Sequence, residues 1–168
     1  MSANSEMIEN KNEDTIENKI DDLYMVFVIN DRKYALSSKY IIEIIEMLPI
    51  TKVPFLPKYM NGIINLRSTI IPIMDARMRF DMEPIEYNER TCIIIIENNE
   101  NKIGLIVDAV NEVMNISPDK CMKMDSSKDD GVSNFIKGVS EINNDVQMIL
   151  DCDSLLEIVE DMKNGINE

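Results

Sequence analysis

The sequence predicts a mainly β protein: two packed β-barrels of about five strands each, with short helical turns and one amphipathic helix at the carboxyl end. Three observations carry this expectation. Short Val/Ile-rich runs bounded by Asn, Asp, Ser, Gly or Pro recur along the chain, as strands joined by tight turns do. Sustained helical spacing of apolar residues appears only near the carboxyl end. The third observation is an internal repeat. Aligning Lys33 with Lys102 places Ala35 on Gly104, Leu36 on Leu105, Ile41 on Val110, Glu43 on Glu112 and Ile44 on Val113 without a gap. Aligning Tyr59 with Phe135 places Gly62 on Gly138, Ile63 on Val139, Leu66 on Ile142, Ile70 on Val146, Ile73 on Ile149 and Asp75 on Asp151. Each half therefore reads as hairpin, third strand, loop and second hairpin, a duplicated unit. A small barrel of such strands is expected to close its own edges and fill its interior with side chains.

The elements follow in order. Residues 1–22 are polar and acidic, with isolated Ile8, Ile16 and Ile20, and cannot offset their ordering entropy by burial. They are predicted to be a disordered tail. Tyr24 to Ile29 reads as a strand, Asn30-Asp31 as a tight turn, and Lys33 to Leu36 as the returning strand. Ser37-Ser38 offers a helix cap before a short amphipathic turn, Lys39 to Ile45. Met47 to Val53 reads as extended, with Pro54 and Pro57 leading to Gly62. The stretch Gly62 to Arg77 (GIINLRSTIIPIMDAR) is a second hairpin, its polar turn at Arg67-Ser68-Thr69. Pro72 cannot donate to a ladder, so its strand is expected at a sheet edge or bulge. A charged loop, Asp81 to Arg90, separates the halves.

The second half opens with Thr91 to Glu97, turns at Asn98-Asn99-Glu100-Asn101, and returns through Lys102 to Val107. Val110 to Ile116 is a strand ending at Ser117-Pro118, and Asp125 to Gly131 is a polar loop. Asn134 to Ile142 and Val146 to Leu150 form a hairpin around Asn143-Asn144-Asp145. Leu155, Leu156, Ile158, Val159 and Met162 recur at helical spacing. The expected boundaries are thus one barrel over roughly 23–80, another over 91–152, a closing helix over 153–162 and a disordered tail over 163–168. Gly62, Gly104 and Gly138 are expected at bends or close backbone approaches. Asp75, Asp108 and Asp151 each follow an apolar strand and are expected to accept turn N–H groups.

Composition narrows the chemistry. The 168 residues carry a net charge of −14, which argues against nucleic acid and anionic membrane surfaces. No His is present, removing the commonest general base and zinc ligand. The three Cys (Cys92, Cys121, Cys152) form no CxxC and suit buried thiols in a reducing compartment. Asp125 to Gly131 lacks the alternating ligands of a calcium loop. No phosphate loop, nucleophile elbow or cofactor motif is visible, so neither a cofactor, a metal nor an enzymatic activity is expected. No apolar stretch approaches the roughly 20 residues of a membrane span, and no secretory signal is visible.

The segments YIIEIIEMLPITKVPFLPKYM, GIINLRSTIIPIMDARMRF, KIGLIVDAVNEVMNI and FIKGVSEINNDVQMILD, in that order, resemble the CheW family of chemotaxis coupling proteins over about Leu23 to Met162. The resemblance implies a fold of two SH3-like barrels packed on each other. It also implies a cytoplasmic adaptor without catalytic activity, associated with receptor arrays at the inner membrane face. Its partners would be the signalling tip of a chemoreceptor (a methyl-accepting chemotaxis protein) and the regulatory domain of a CheA-type histidine kinase. The family's receptor groove lies between the barrels, and Ile41, Glu43, Ile44, Arg67 and Val110 fall on its positions. Of the three apolar residues, two are expected to face the core. No kinase-contact residue is assigned. The chain has Ser68 where the family has Gly. If that position needs φ > 0, Ser costs roughly 1 kcal/mol; a different turn type would instead re-aim Arg67. Two alternatives accompany this reading: a CheW-type scaffold in a non-taxis receptor–kinase pathway, and an oligonucleotide-binding barrel, which the acidity and the few aromatics disfavour. No receiver domain is expected to follow the coupling domain.

Overall fold

The structure, a computed structural model, describes residues 22–124 and 131–166. The predicted acidic tail lies almost wholly outside these residues, as does nearly all of the loop 125–131. Eleven strands are described: β1 (Leu23–Ile29), β2 (Arg32–Ser37), β3 (Ile41–Glu46), β4 (Met60–Leu66), β5 (Thr69–Asp75), β6 (Cys92–Asn98), β7 (Asn101–Val107), β8 (Ala109–Asn115), β9 (Cys121–Lys123), β10 (Ile136–Ile142) and β11 (Asp145–Leu150). Two α-helices join them, α1 (Ala76–Arg79) and α2 (Cys152–Ile166). The expectation of a mainly β fold is met.

The strands form two sheets, ordered β8-β1-β2-β11-β10-β9 and β3-β6-β7-β5-β4. Under the sequence repeat, β1 to β5 correspond to β6, β7, β8, β10 and β11, and the two sheets then have the same order, with β9 extra. The correspondence holds to the residue. Ile73 pairs with Gly104 in the parallel β5–β7 ladder, and the equivalent Ile149 pairs with Ala35 in β11–β2. Bulges also recur, at Ile42 opposite β6 and at Asn111 opposite β1.

Each sheet nevertheless draws strands from both halves. The first hairpin of one half joins the third strand and second hairpin of the other, so the sequential division into 23–80 and 91–152 does not describe the strand pairing. The reason lies in the apolar runs. Ile93 to Ile96 are all essentially buried, which needs cover on both faces and a neighbour at each edge. Strand β6 obtains this between β3 and β7. Nor do the sheets close into complete barrels: among the described residues no ladder joins edge strands β3 and β4. The chain after β3 reaches β4 through one bridge, Thr51 to Ile63, with hydrogen bonds of 2.9 Å in each direction.

All four two-residue hairpin turns have both central residues at positive φ: Asn30-Asp31 (53° and 61°), Arg67-Ser68 (49° and 69°), Asn99-Glu100 (51° and 69°) and Asn143-Asn144 (53° and 67°). These match the right-handed strand twist as type I′ turns do. The expected helical turn over Lys39–Ile45 is corrected. A single 3₁₀ turn, Ser38–Tyr40, leads straight into β3, and Ser37 makes no side-chain cap bond. Four isoleucines at 41, 42, 44 and 45, stiff at χ1, favour the strand.

The main core spans both sheets. Phe27, Tyr34, Phe80 and Phe135 run through it in ring contacts of 6.3, 5.8 and 5.4 Å. Helix α2 buries Leu155, Leu156 and Val159 and continues four residues past the expected end at 162. Its polar side is tied to the β6–β7 hairpin: Asn101 Nδ2 donates to Glu160 (2.7 Å) and Lys163 Nζ donates to Asn101 Oδ1 (2.7 Å).

Candidate functional site

Glu43 sits on β3, one edge of the five-stranded sheet, and Arg67 on the turn that ends β4, the other edge. Curling of the sheet brings them together in a bidentate pair. Arg67 Nη1 donates to Glu43 Oε1 at 2.7 Å and Nη2 to Oε2 at 2.9 Å. These bonds hold the Glu43 carboxyl below the usual carboxylate range and raise Arg67 above its own. Glu43 and Arg67, both assigned to the receptor groove by the resemblance, are therefore bound to each other. They are unequally covered: the Arg67 side chain is 73% exposed and Glu43 25%, so the guanidinium keeps an open face. The Ser68 question resolves in favour of positive φ, and Arg67 itself adopts it too.

Around the pair, Ile41 packs against the main core, while Ile44 and Ile42 are exposed. Val110 packs against the same core from β8 in the other sheet. Cys92 is the cross-strand partner of Glu46, and the Val110 backbone lies close enough to its thiol to oppose the upward push of burial. The start of β8 therefore lies near the end of β3. Beside the ion pair runs an apolar groove of about 570 Å³, lined among others by Ile63, Ile70, Pro72, Lys102, Val159 and Met162. Thr69, which follows the Arg67-Ser68 turn at the start of β5, lines the groove and sets it next to the pair. Ile70 is 65% exposed on its rim.

Several of these residues escape sequence reasoning. Ile42 lies with Ile44 and Glu46 on the exposed side of β3, where an apolar residue type by itself suggests burial. The contribution of α2 depends on where the helix docks. Ile70 was legible in principle, since it alternates with the buried Ile71 in a two-residue pattern.

The residues predicted as structural have definite places. Gly62 adopts φ 141°, and a Cβ there would lie 2.0 Å from the Thr51 carbonyl oxygen. Gly104 is a close approach: a Cβ would meet Ile73 Cδ1 at 2.6 Å. Gly138 lies at the β10–β11 bulge. Pro72 is not on an edge strand, because β5 runs between β7 and β4. It is tolerated since pairing with β7 starts only at Ile73, so the missing N–H falls outside the ladder.

Asp75 is buried; it caps α1 by accepting from Met78 N (3.2 Å) and accepts from the Tyr87 hydroxyl (2.6 Å). Burial and then this carboxylate push the Tyr87 phenol up to about 12. Asp151 accepts from Asp153 N at the start of α2. Asp108 accepts from Asn30 N (2.8 Å) and is clasped by Arg77 Nε (2.9 Å) and Nη2 (2.7 Å), a junction between the first hairpin and α1. Burial pushes its carboxyl up, but the Arg77 and Asn30 hydrogen bonds outweigh it and leave it below the ordinary value. Arg79 is sandwiched between Tyr59 (4.0 Å) and Phe135 (4.6 Å), equivalent residues of the repeat.

The chemistry this arrangement offers is recognition. The charged groups of the site pair with one another, and all three thiols are raised by burial, Cys152 to about 12, away from the reactive thiolate. Among the described residues no helix is long and apolar enough to cross a membrane.

Comparison with known proteins agrees with this picture. The family model described as "CheW-like domain" matches residues 23–160. The chemotaxis protein CheW of Bacillus subtilis is 30% identical over 145 residues, covering 85% of this chain and 92% of that protein. A probable chemotaxis protein CheW of Rhizobium etli is 27% identical over 136 residues, covering 81% and 88%. The crystal structure of the scaffolding protein TtCheW from Thermoanaerobacter tengcongensis superposes with a TM-score of 0.71 at 30% identity, covering 78% of this chain and 84% of that one.

Proposed function

The chain belongs to the CheW family of chemotaxis scaffold proteins, and from that premise we propose that it couples the signalling tip of a chemoreceptor to the regulatory domain of a CheA-type histidine kinase. It does so by binding alone, in the cytoplasm, within arrays at the inner membrane face. The observation that carries this reading is the surface joining the Glu43–Arg67 pair to an apolar groove whose rim exposes Ile70. A receptor tip is helical, and an amphipathic helix laid in a groove places apolar residues at three- and four-residue spacing against its floor. The open face of Arg67 then takes a carboxylate of that helix, for which its planar fork is suited. Ile41, Glu43, Ile44, Arg67 and Val110 make up the receptor side of this proposal, and Ile42 and Ile70 extend it. The domain proposed for this role is the unit over 23–162. Interfaces of this transient kind bury under about 1,200 Å², so each contact is weak and the array relies on multivalency.

Calorimetric titration of the chain with a receptor-tip fragment, and separately with the kinase regulatory domain, tests the reading. Arg67→Glu and Ile70→Asp are expected to weaken receptor binding at least about tenfold, as loss of a central contact does, and to leave kinase binding unchanged. Unaltered receptor affinity in both folded variants would place the receptor elsewhere.

A further inference from the structure

The described structure begins at Asp22, beside a cleft separate from the site above. Asp22 O accepts from Ile116 N (2.8 Å), where the chain leaves β8 for the 3₁₀ turn Pro118–Lys120. Two residues on from this bond, on either side, stand Tyr24 and Pro118. Both line a cleft of about 400 Å³, with Cys121, Met122, Lys123 and Lys137 among others. Burial raises the Cys121 thiol, the Asp22 carboxylate adds to the rise, and Lys137 opposes it. The chain therefore enters the fold at the wall of this cleft.

Its chemistry is unlike that of the molecule as a whole. The chain has a net charge of −14, yet the described lining of the cleft has Lys123 and Lys137 and no carboxylate. It is also apolar and open: Met122 is 72% exposed and Met124 46%. Such unbranched, polarizable side chains adapt to an irregular partner. The 21 residues that precede Asp22 in the sequence have the opposite character. They carry six acids against two lysines, and Ile16 and Ile20 stand four apart, as do Glu13 and Glu17. Six extended residues span at most about 20 Å, so Ile16 to Asp21 can lie across a cleft that starts at Asp22.

We propose that the acidic segment before Asp22 docks back on this cleft, Ile16 and Ile20 covering Met122 and Met124 while Glu13, Asp14 and Glu17 face Lys123 and Lys137. The lysines attract and orient the segment, and the apolar cover seats it. So few apolar residues hold a segment only weakly. The tether offsets this, because it supplies an effective concentration of order millimolar. A seat with a dissociation constant of about 0.1 mM is then occupied about nine-tenths of the time. Salt weakens the attraction between these exposed charges. The segment is thus a reversible cover, which screens a basic, methionine-lined face from other acidic surfaces.

Oxidation of the full chain by dilute hydrogen peroxide, read residue by residue by mass spectrometry, tests this. Each thioether takes one oxygen from peroxide and leaves water, at a rate that follows its exposure. At low salt, Met122 and Met124 of wild type are expected to oxidise at least about threefold more slowly than in Ile16→Ser with Ile20→Ser, which loses the seat. Lys123→Glu with Lys137→Glu should release the segment as well. Adding Glu13→Lys with Glu17→Lys to that variant should restore the protection. Met74, fully buried, should stay unoxidised throughout and so report an intact fold. Equal Met122 rates in wild type and the variants, or reversed lysines that the reversed acids do not rescue, overturn the proposal. Protection that grows with protein concentration overturns it too, since a second copy then covers the cleft.

Discussion

Gly62 and Gly138 occupy the same position of the repeat, each at the bulge of a second hairpin, yet replacing them with Ala should have unequal effects. At Gly62 φ is 141°, a region that only Gly enters freely, and the new Cβ would sit 2.0 Å from Thr51 O and 2.8 Å from Thr51 C. That carbonyl accepts from Ile63 N, and Thr51 N donates to Ile63 O, both at 2.9 Å. Gly62→Ala therefore strains the backbone by about 1–3 kcal/mol. It also breaks a bridge of two hydrogen bonds, each contributing about 0.5–1.5 kcal/mol. The expected loss is about 2–6 kcal/mol. At Gly138 the added Cβ would meet only Met122 O at 3.0 Å, with no left-handed φ, so edge strand β9 can give way. A loss of about 1 kcal/mol is expected there, at the low end of overpacking costs. Urea denaturation followed by circular dichroism separates the two. With a slope of about 2 kcal/mol/M, Gly62→Ala lowers the midpoint by at least about 1 M and Gly138→Ala by about half of that or less. Equal shifts, or a larger one at Gly138, would refute the account of the Thr51–Ile63 closure.

Ser68→Gly should stabilise the chain by about 1 kcal/mol, because Ser68 is held at φ 69°; thermal melting checks this, and no gain would mean that the turn relaxes locally. Among the described residues the buried Tyr34 hydroxyl has no hydrogen-bond partner, so Tyr34→Phe should leave stability unchanged or raise it by up to about 1 kcal/mol, where a buried bonded hydroxyl would give a loss. Stability should fall on acidification. The folded-state carboxyls of Glu43 and Asp108 lie below their ordinary values, so their contribution is complete above about pH 4 and is lost as pH drops through the depressed folded values. Denaturation midpoints measured from pH 6 to pH 2 should show this, and Asp108→Asn should flatten part of the decline.

Much of the fold is legible in the residues themselves. The hairpins announce themselves through Asn-Asp, Asn-Glu and Asn-Asn turns, and the repeat places Gly104 opposite Ile73 just as it places Ala35 opposite Ile149. Partner choice is not legible in this way. Periodicity gives Ile93 to Ile96 as a buried strand, but any apolar edge would satisfy it, and only the assembled core selects β3 from one half and β7 from the other. The Lys39–Ile45 segment was misread because Ser37-Ser38 mimics a cap while the four isoleucines decide the outcome. At the site, residue types mark Glu43 and Arg67 as notable, but not that they bind each other, since they lie 24 residues apart on opposite sheet edges. Arg77 with Asp108, and Arg79 between Tyr59 and Phe135, are invisible for the same reason: their partners are assembled by topology.

The proposed coupling role makes its most direct claim about simultaneity: one chain must hold the receptor and the kinase at once. Size-exclusion chromatography of a receptor-tip fragment with the kinase regulatory domain, run with and without the chain, measures it. The account predicts that the two co-elute only when the chain is present, and that Arg67→Glu releases the receptor fragment while the kinase domain stays bound. If each partner instead displaces the other from the chain, the two share one surface and the coupling account is contradicted.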